Sequence, residues 1–317
     1  GVPKALKENF PGARVTFVAS TAGVELLKEN PFVDELIAYD APWFARGRRA
    51  SRLGFGGLVS ELSRRGFDLG FSLRGDLREN FLLWFAGVKE RVGYGVTGGG
   101  FFLTREVRYR TDVHERRRTP DLLDAAGVRA GSAAEPRLYF SDRETAEFDA
   151  KLPALGIEPG RRYAGFQPFS GTRAKDWPQE HAAEFVRGFR KRFPAVRLVL
   201  VGSGESRLEG ADAIDLTGRT SVRELCLLLK KFELFVGPDS GPAHLAAALG
   251  VSTVFLYSGT NELKEWGPAA ESARVLRQPV DCSPCGLTEC AVAGHPCMAR
   301  ITPAQVLDAA AGRLGNG

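Results

Sequence analysis

Residues Val236 to Leu249 read VGPDSGPAHLAAAL, and this stretch carries the densest set of residues able to hold a phosphate or a sugar. A buried strand ending at Val236 would run through a Gly237-Pro238 turn into an alanine-rich helix. Asp239 and Ser240 then fall in the N-cap region of that helix. Gly241 lets a ligand approach the backbone closely. Free N–H groups and the positive end of the helix dipole make such a terminus an anion site. His244 lies in the first turn, where its ring can turn back toward the same point. Taken singly, each has a plainer account: helix capping for Asp239 and Ser240, a hydrogen-bonded core position for His244. Together, directly after a buried strand, they favour a site for a diphosphate or a ribose.

A second loop supports that chemistry. Phe166 to Pro178 reads FQPFSGTRAKDWP between a strand and a helix. Ser170 and Gly171 offer a hydroxyl and open backbone, Thr172 a second hydroxyl, and Lys175 a point charge suited to phosphate. An ordinary surface loop with a solvated lysine is the competing account. A third element, Gly202-Ser203-Gly204-Glu205, follows another strand, and the Glu205 carboxylate can accept hydrogen bonds from ribose hydroxyls. It does not complete GxGxxG, because Arg207 stands where the last glycine belongs, and no stretch matches GxxxxGK[ST]. Tyr257-Ser258-Gly259-Thr260 follows a further strand, where sugar contact and simple turn chemistry compete equally.

Four of the five cysteines, Cys282, Cys285, Cys290 and Cys297, are spaced C-x2-C-x4-C-x6-C with His295 among them. Such thiols can hold a structural zinc, although the spacing is not that of a paired zinc ribbon. Reduced thiols in a compact loop account for it equally well. A closed four-cysteine site has no open position, so a catalytic role is not expected. Cys226 stands alone in an apolar helical run and reads as a small core residue.

These loops need strands and helices to position them, and the chain supplies both. It has 317 residues, 44% of them hydrophobic and 26% charged, which excludes wholesale disorder and suggests two domains. No run approaches about 18 apolar residues, so no spanning helix is expected, and with no apolar leader visible the protein is expected to be cytoplasmic. The net charge of +5 is too weak to argue for nucleic acid. It is unevenly spread: residues 41–120 hold 16 Lys/Arg against 8 Asp/Glu. Arg46, Arg48, Arg49 and Arg52 form one cluster and Arg116, Arg117 and Arg118 another, which read either as a solvated face or as a docking surface for an anionic substrate or membrane leaflet. Strands alternate with helices throughout, which implies βαβ units and mostly parallel sheets. The expected division is an N-terminal domain over residues 1–150 and a C-terminal domain over 151–317, joined through a Pro/Gly-rich stretch, with the last helix a candidate to pack back on the first domain. Two α/β domains of this kind place a ligand cleft between them.

The order of motifs, PFSGTRAKDWP, VGSGE, GPDSGPAHLAAALG, LYSGT, WGP, a cysteine cluster and ITPAQV, resembles glycosyltransferase family 9, the ADP-heptose:lipopolysaccharide heptosyltransferases. LKENPFVDELIAYD, RGDLREN and RVGYG extend the resemblance more loosely into the first half. It implies a GT-B fold of two Rossmann-like domains, with the donor bound by the second. The implied reaction is inverting transfer of heptose from ADP-heptose to the inner core of lipopolysaccharide. Another nucleotide sugar or acceptor, or donor binding without turnover, are the alternatives. By resemblance Ser170, Gly171 and Lys175 hold the diphosphate and Glu205 the ribose. Asp239, Ser240, Gly241 and His244 line the pyrophosphate and sugar, with Lys175 and His244 stabilising the leaving group. The family has a small hydroxyl residue where Gly171 stands, so that contact is lost or moves to Thr172. No DxD-type pair stands where it would recruit a metal, so no cofactor is expected for catalysis. The acceptor side is assigned to Arg46, Arg48, Arg49 and Arg74, facing an anionic lipid A core, with peripheral contact at the inner membrane. The family opens with a strand and a Gly-Asp loop whose Asp is the favoured base. That strand is expected to be absent here, which leaves Asp76 as the named replacement, with helix initiation as its plainer role.

Overall fold

The computed structural model describes residues 1–43, 53–131, 136–204, 208, 210 and 212–314. It divides into two units, Gly1–Tyr139 and Phe140–Gly317. Among the described residues no helix is long and apolar enough to cross a membrane.

The first unit carries helix α1 (Val2–Asn9), strand β1 (Thr16–Ala19), α2 (Thr21–Leu27), β2 (Glu35–Ala38), α3 (Phe55–Ser63) and β3 (Leu69–Ser72). It continues through α4 (Leu77–Phe85), β4 (Glu90–Tyr94), β5 (Arg105–Val107) and α5 (Arg118–Ala125). Every pairing is parallel, as the helical crossovers require. The strands form two sheets, β1-β2 and β3-β4-β5. Between them lies a cavity of about 1760 Å3 lined by every residue of β1 and of β3. Successive side chains of a strand point to opposite faces. Only the strand edges can therefore present all of these residues to one cavity.

The second unit begins with α6 (Asp142–Lys151), then β6 (Arg162–Phe166), α7 (Gln179–Arg192), β7 (Val196–Leu200), β8 (Ile214–Asp215), α8 (Val222–Leu229) and β9 (Leu234–Pro238). It ends with α9 (Gly241–Ala248), β10 (Ser252–Tyr257), α10 (Leu263–Trp266), β11 (Ala273–Arg277), α11 (Pro296–Ala299) and α12 (Pro303–Leu314). One parallel sheet runs in the order β11-β10-β9-β6-β7-β8, the doubly wound Rossmann order. Residue alternation makes two cores. Leu198, Leu200, Leu234, Val236, Val254 and Leu256 face α7 and α12. Val199, Phe235 and Phe255 face α8 and α9. Gly165 in β6 is required by that packing, since a Cβ would come within 2.4 Å of the Phe232 ring.

Two boundaries differ from the sequence expectation. The division falls at Tyr139, and the stretch expected to be a linker opens with helix α6. Ser141 caps α6 by accepting from the Glu144 N–H, and Phe148 anchors the helix in the second core beside Ile157 and Tyr163. The last helix packs within the second unit, burying Val306, Ala310, Ala311 and Leu314 against α7. Its apolar stripe matches that core.

Candidate functional site

In a doubly wound sheet, ligands bind beyond the C-terminal strand ends where the strand order reverses. In the second unit that point lies between β6 and β9. The loops after β6, β9 and β10 converge there. Val236 O accepts from Gln167 N at 2.9 Å, which fixes the start of the β6 loop against β9.

Asp239 is the hub. It is 4% exposed and directly follows β9. Its Oδ2 accepts from Lys175 Nζ at 2.7 Å and from Asn261 Nδ2 at 2.9 Å, and its Oδ1 pairs with His244 Nε2 at 2.8 Å. Burial alone would raise this carboxyl's pKa. The bonds from His244 and Lys175 outweigh burial and hold it below the usual carboxylate range. The structure thus brings Lys175, Asp239 and His244 together from two loops 64 residues apart.

Ser240 occupies the N-cap of α9 without capping it. Its Oγ donates to Gln167 Oε1 at 2.6 Å, and Gln167 Nε2 donates to Phe169 O. No side chain therefore caps α9, and Gly241 faces open space: a Cβ there would meet nothing within 4 Å. A helix end left this way offers its free N–H groups to water or an anion. Ser170 closes its own turn, donating to Thr172 O at 2.7 Å and accepting from Thr172 N at 3.0 Å. Its N–H goes to Asp176 Oδ1, so the loop is held before any ligand arrives. Gly171 also has open space at its Cβ position. Trp177 is packing: it is 1% exposed and donates to Ile301 O.

Gln167 and Asn261 escaped the sequence reading. Gln167 stands within the β6 loop motif without having been assigned a role, Asn261 lies one residue beyond Thr260, and each acts through a tertiary bond. Glu205 lies outside the described residues, as do Arg46, Arg48 and Arg49. Arg74 is described, with its Nε 4.0 Å from Glu79 Oε1.

Asp76 takes the helix-initiating role that was its plainer account. It is the N-cap of α4, with Oδ1 accepting from the Arg78 N–H, and both oxygens are bound by the Arg78 guanidinium at 2.7–2.8 Å. The Arg78 bonds hold its carboxyl below the usual range. A carboxylate so engaged is a helix cap and a poor proton acceptor. One turn on, burial pushes the Glu79 carboxyl up, and Glu79 lines the first unit's cavity.

Burial pushes the Cys297 thiol up, and Cys290, Cys282 and Cys285 add to that shift. Cys297 is buried in α11, while Cys282 and Cys290 are exposed. Cys290 Sγ donates to Val292 O. Among the described residues no group of three or more His, Cys, Asp or Glu is placed to hold a metal ion. Cys226 is a core residue, as expected, and burial pushes its thiol up to about 11.

The family model for glycosyltransferase family 9 (heptosyltransferase) matches residues 56–295. The chain belongs to this family. It is similar to lipopolysaccharide heptosyltransferase 2 of Salmonella typhimurium, 24% identical, with 96% of this chain and 91% of that one covered. Lipooligosaccharide heptosyltransferase 2 of Campylobacter jejuni is 27% identical over 203 residues, covering 56% of this chain and only 63% of that relative. Among solved structures, a family 9 glycosyl transferase from Veillonella parvula superposes with a TM-score of 0.80 at 21% identity, covering 99% of this chain and 92% of that one. Escherichia coli ADP-heptose lps heptosyltransferase II gives 0.71 at 20% identity, covering 98% and 92%. These likenesses bear out the GT-B fold class for this family 9 chain.

Proposed function

We propose that this family 9 chain is an inverting glycosyltransferase that moves heptose from ADP-heptose to the inner core of lipopolysaccharide. The second unit holds the donor, and the anionic lipid A-core acceptor meets the first. The observation that carries the reading is the Lys175–Asp239–His244 cluster beside the uncapped start of α9, at the reversal point of a Rossmann sheet. The names of the curated relatives supply the sugar and the acceptor.

In this reaction an acceptor hydroxyl attacks the anomeric carbon from the face opposite the diphosphate. The bond from that carbon to the diphosphate oxygen breaks, the electron pair leaves on the diphosphate, and the hydroxyl proton passes to a base. Lys175 and the N–H groups of α9 are set to receive the developing charge. Asp239 keeps Lys175 and His244 in position. Ser170, Gly171, Thr172 and Ser240 shape the diphosphate cradle, and Glu205 is assigned to the ribose. Arg46, Arg48, Arg49 and Arg74 are assigned to acceptor phosphates and acids, with the membrane contact peripheral.

The test is ADP release from ADP-heptose in the presence of a deep-core lipid A acceptor. Acceptor-dependent release supports the reading. Donor binding without release under any acceptor favours the second reading, a nucleotide-sugar-binding protein, which the engagement of Asp76 by Arg78 keeps open. Release from another nucleotide sugar alone would change the substrate and leave the family intact.

A further inference from the structure

The segment that carries the four clustered cysteines is bonded to both donor loops. Cys285 N donates to Gly259 O at 3.0 Å and Gly286 N to Thr260 O at 2.9 Å, so the β10 loop is held up to the residue before Asn261. Close packing accompanies these bonds: a Cβ on Gly259 would come within 3.1 Å of Val280 and 3.6 Å of the Cys297 Cβ. Further along the segment, Thr288 O accepts from Ala174 N at 2.9 Å, and His295 Nε2 lies 3.0 Å from Ala174 O. One segment therefore touches both loops that supply partners to Asp239. Lys175 directly follows Ala174, and Asn261 directly follows Thr260.

The contact at Ala174 bears most directly on Lys175. The peptide unit joining these two residues is planar, so holding its two polar atoms fixes its orientation. Its oxygen, Ala174 O, is bound by the His295 ring, and its N–H, from Lys175, donates to Thr172 O at 2.8 Å. Ala174 itself is 1% exposed. From this fixed plane the Lys175 side chain reaches Asp239, where Nζ meets Oδ2 at 2.7 Å. A carbonyl oxygen only accepts, so Nε2 of His295 carries the proton in this arrangement.

His295 holds that place in an unfavourable conformation. Its φ is +45°, and among the described residues no other non-glycine residue has a positive φ. The left-handed region crowds a Cβ, and such a backbone persists where its surroundings over-determine it. Here they do: His295 N donates to Val292 O, His295 O accepts from Met298 N and Ala299 N, and Met298 is fully buried. Glycine would take the same backbone without strain, as Gly294 does at +74°. What glycine would lack is the imidazole and its bond to Ala174 O.

We propose that His295 is a positioning residue that, by donating to Ala174 O, fixes the Lys175 ammonium on Asp239 for the donor diphosphate. This rests on the reading of Lys175 as a diphosphate ligand above, and it extends the donor site to the cysteine-bearing segment.

The test compares the full chain with His295→Gly, which removes the ring and suits the backbone, and with His295→Gln, which keeps a donor of comparable reach. ADP binding is measured by calorimetry, donor KM and kcat by ADP release, and amide hydrogen exchange at Lys175 by NMR. His295→Gly should weaken ADP binding by about tenfold. It should raise donor KM more than it lowers kcat, and His295→Gln should recover most of the loss. Exchange at the Lys175 amide should quicken in His295→Gly. In a Lys175→Ala background, His295→Gly should weaken ADP binding no further. A histidine that merely supports the fold would weaken binding equally in both backgrounds, and that result would overturn the proposal. Unchanged ADP affinity in His295→Gly would overturn it as well. If the unaltered chain binds no ADP, the donor reading fails and exchange decides the rest: quicker exchange at Lys175 supports the positioning role, and unchanged exchange overturns it. His295-dependent ADP binding with no ADP release from ADP-heptose would reject the transferase reading and leave the positioning role in place.

Discussion

Lys175 Nζ lies 2.7 Å from Oδ2 of Asp239 and 3.1 Å from the backbone carbonyl oxygen of the same residue, so two loops of the Rossmann sheet are joined through one ammonium group. The side chains are 18% and 4% exposed, which sets this pair apart from the surface ion pairs elsewhere in the chain. Removing one partner of such a pair leaves a charge without compensation. Asp239→Ala should cost on the order of 3–5 kcal/mol in stability. Lys175→Ala should cost less, because His244 and Asn261 still bind the carboxylate. In turnover the order reverses in meaning: losing a group that stabilises the leaving diphosphate should reduce kcat by about 10²–10³ while the protein stays folded. Urea unfolding beside steady-state ADP release separates the two. Near-normal turnover in both Lys175→Ala and His244→Ala would reject the site.

Gln167 should behave as a positioning residue. Its amide links Ser240 in the β9 loop to Phe169 in the β6 loop, and it is 4% exposed. Gln167→Ala leaves the Ser240 hydroxyl and the Phe169 carbonyl without that partner, at a cost of about 1–3 kcal/mol. Because Gln167 acts by holding the two walls of the cradle, donor KM should rise more than kcat falls. Equal falls in kcat and kcat/KM with an unchanged KM would instead place it in the transition state. Gln167→Glu, which keeps the length but cannot donate to Phe169 O, should be intermediate.

Acid should remove the stability that Asp239 contributes to the second unit. The folded Asp239 carboxyl titrates below its ordinary value, so the stability it contributes is present above that value. It is lost as pH falls through the lower folded pKa, beneath the usual aspartate value of about 3.9. Asp239→Asn removes this linkage. Its unfolding free energy should therefore decline less than that of the unaltered chain between about pH 6 and about pH 3. Parallel acid limbs would mean that other carboxylates dominate.

Legibility followed how local each signal was. The β9–α9 turn could be read because a strand of buried residues, Gly237-Pro238 and an alanine-rich helix lie in one uninterrupted stretch. The cap of α8 is equally local: Ser221 and Glu224, three residues apart, form a capping box. Helix α6 was hidden because only Phe148 on it is buried, so its apolar periodicity is nearly absent. The roles of Gln167 and Asn261 were hidden for another reason. Their partners are Ser240 and Asp239, 73 and 22 residues away, and no spacing rule spans such gaps. Asp76 illustrates the converse: the Arg-Gly-Asp sequence permitted both a base and a helix start, and the structure shows it capping α4 through the Arg78 N–H with the Arg78 guanidinium on both oxygens.

Gly241 permits the cleanest separation of fold from ligand. It is the first residue of α9, its backbone is not in the left-handed region, and a Cβ there would meet no atom within 4 Å. Gly241→Ala should therefore fold normally, and the reduced freedom of the unfolded chain should raise stability by about 0.4–1 kcal/mol. If a diphosphate sits against the N–H groups of α9, the added methyl occupies the space it needs. Donor affinity should fall while thermal stability in the absence of donor holds or rises, and the stabilisation conferred by saturating ADP should shrink with it. Calorimetry of ADP binding beside thermal unfolding with and without ADP reads both quantities. Undiminished ADP affinity in Gly241→Ala would move the diphosphate away from α9 and leave Lys175 to receive it from the β6 loop alone.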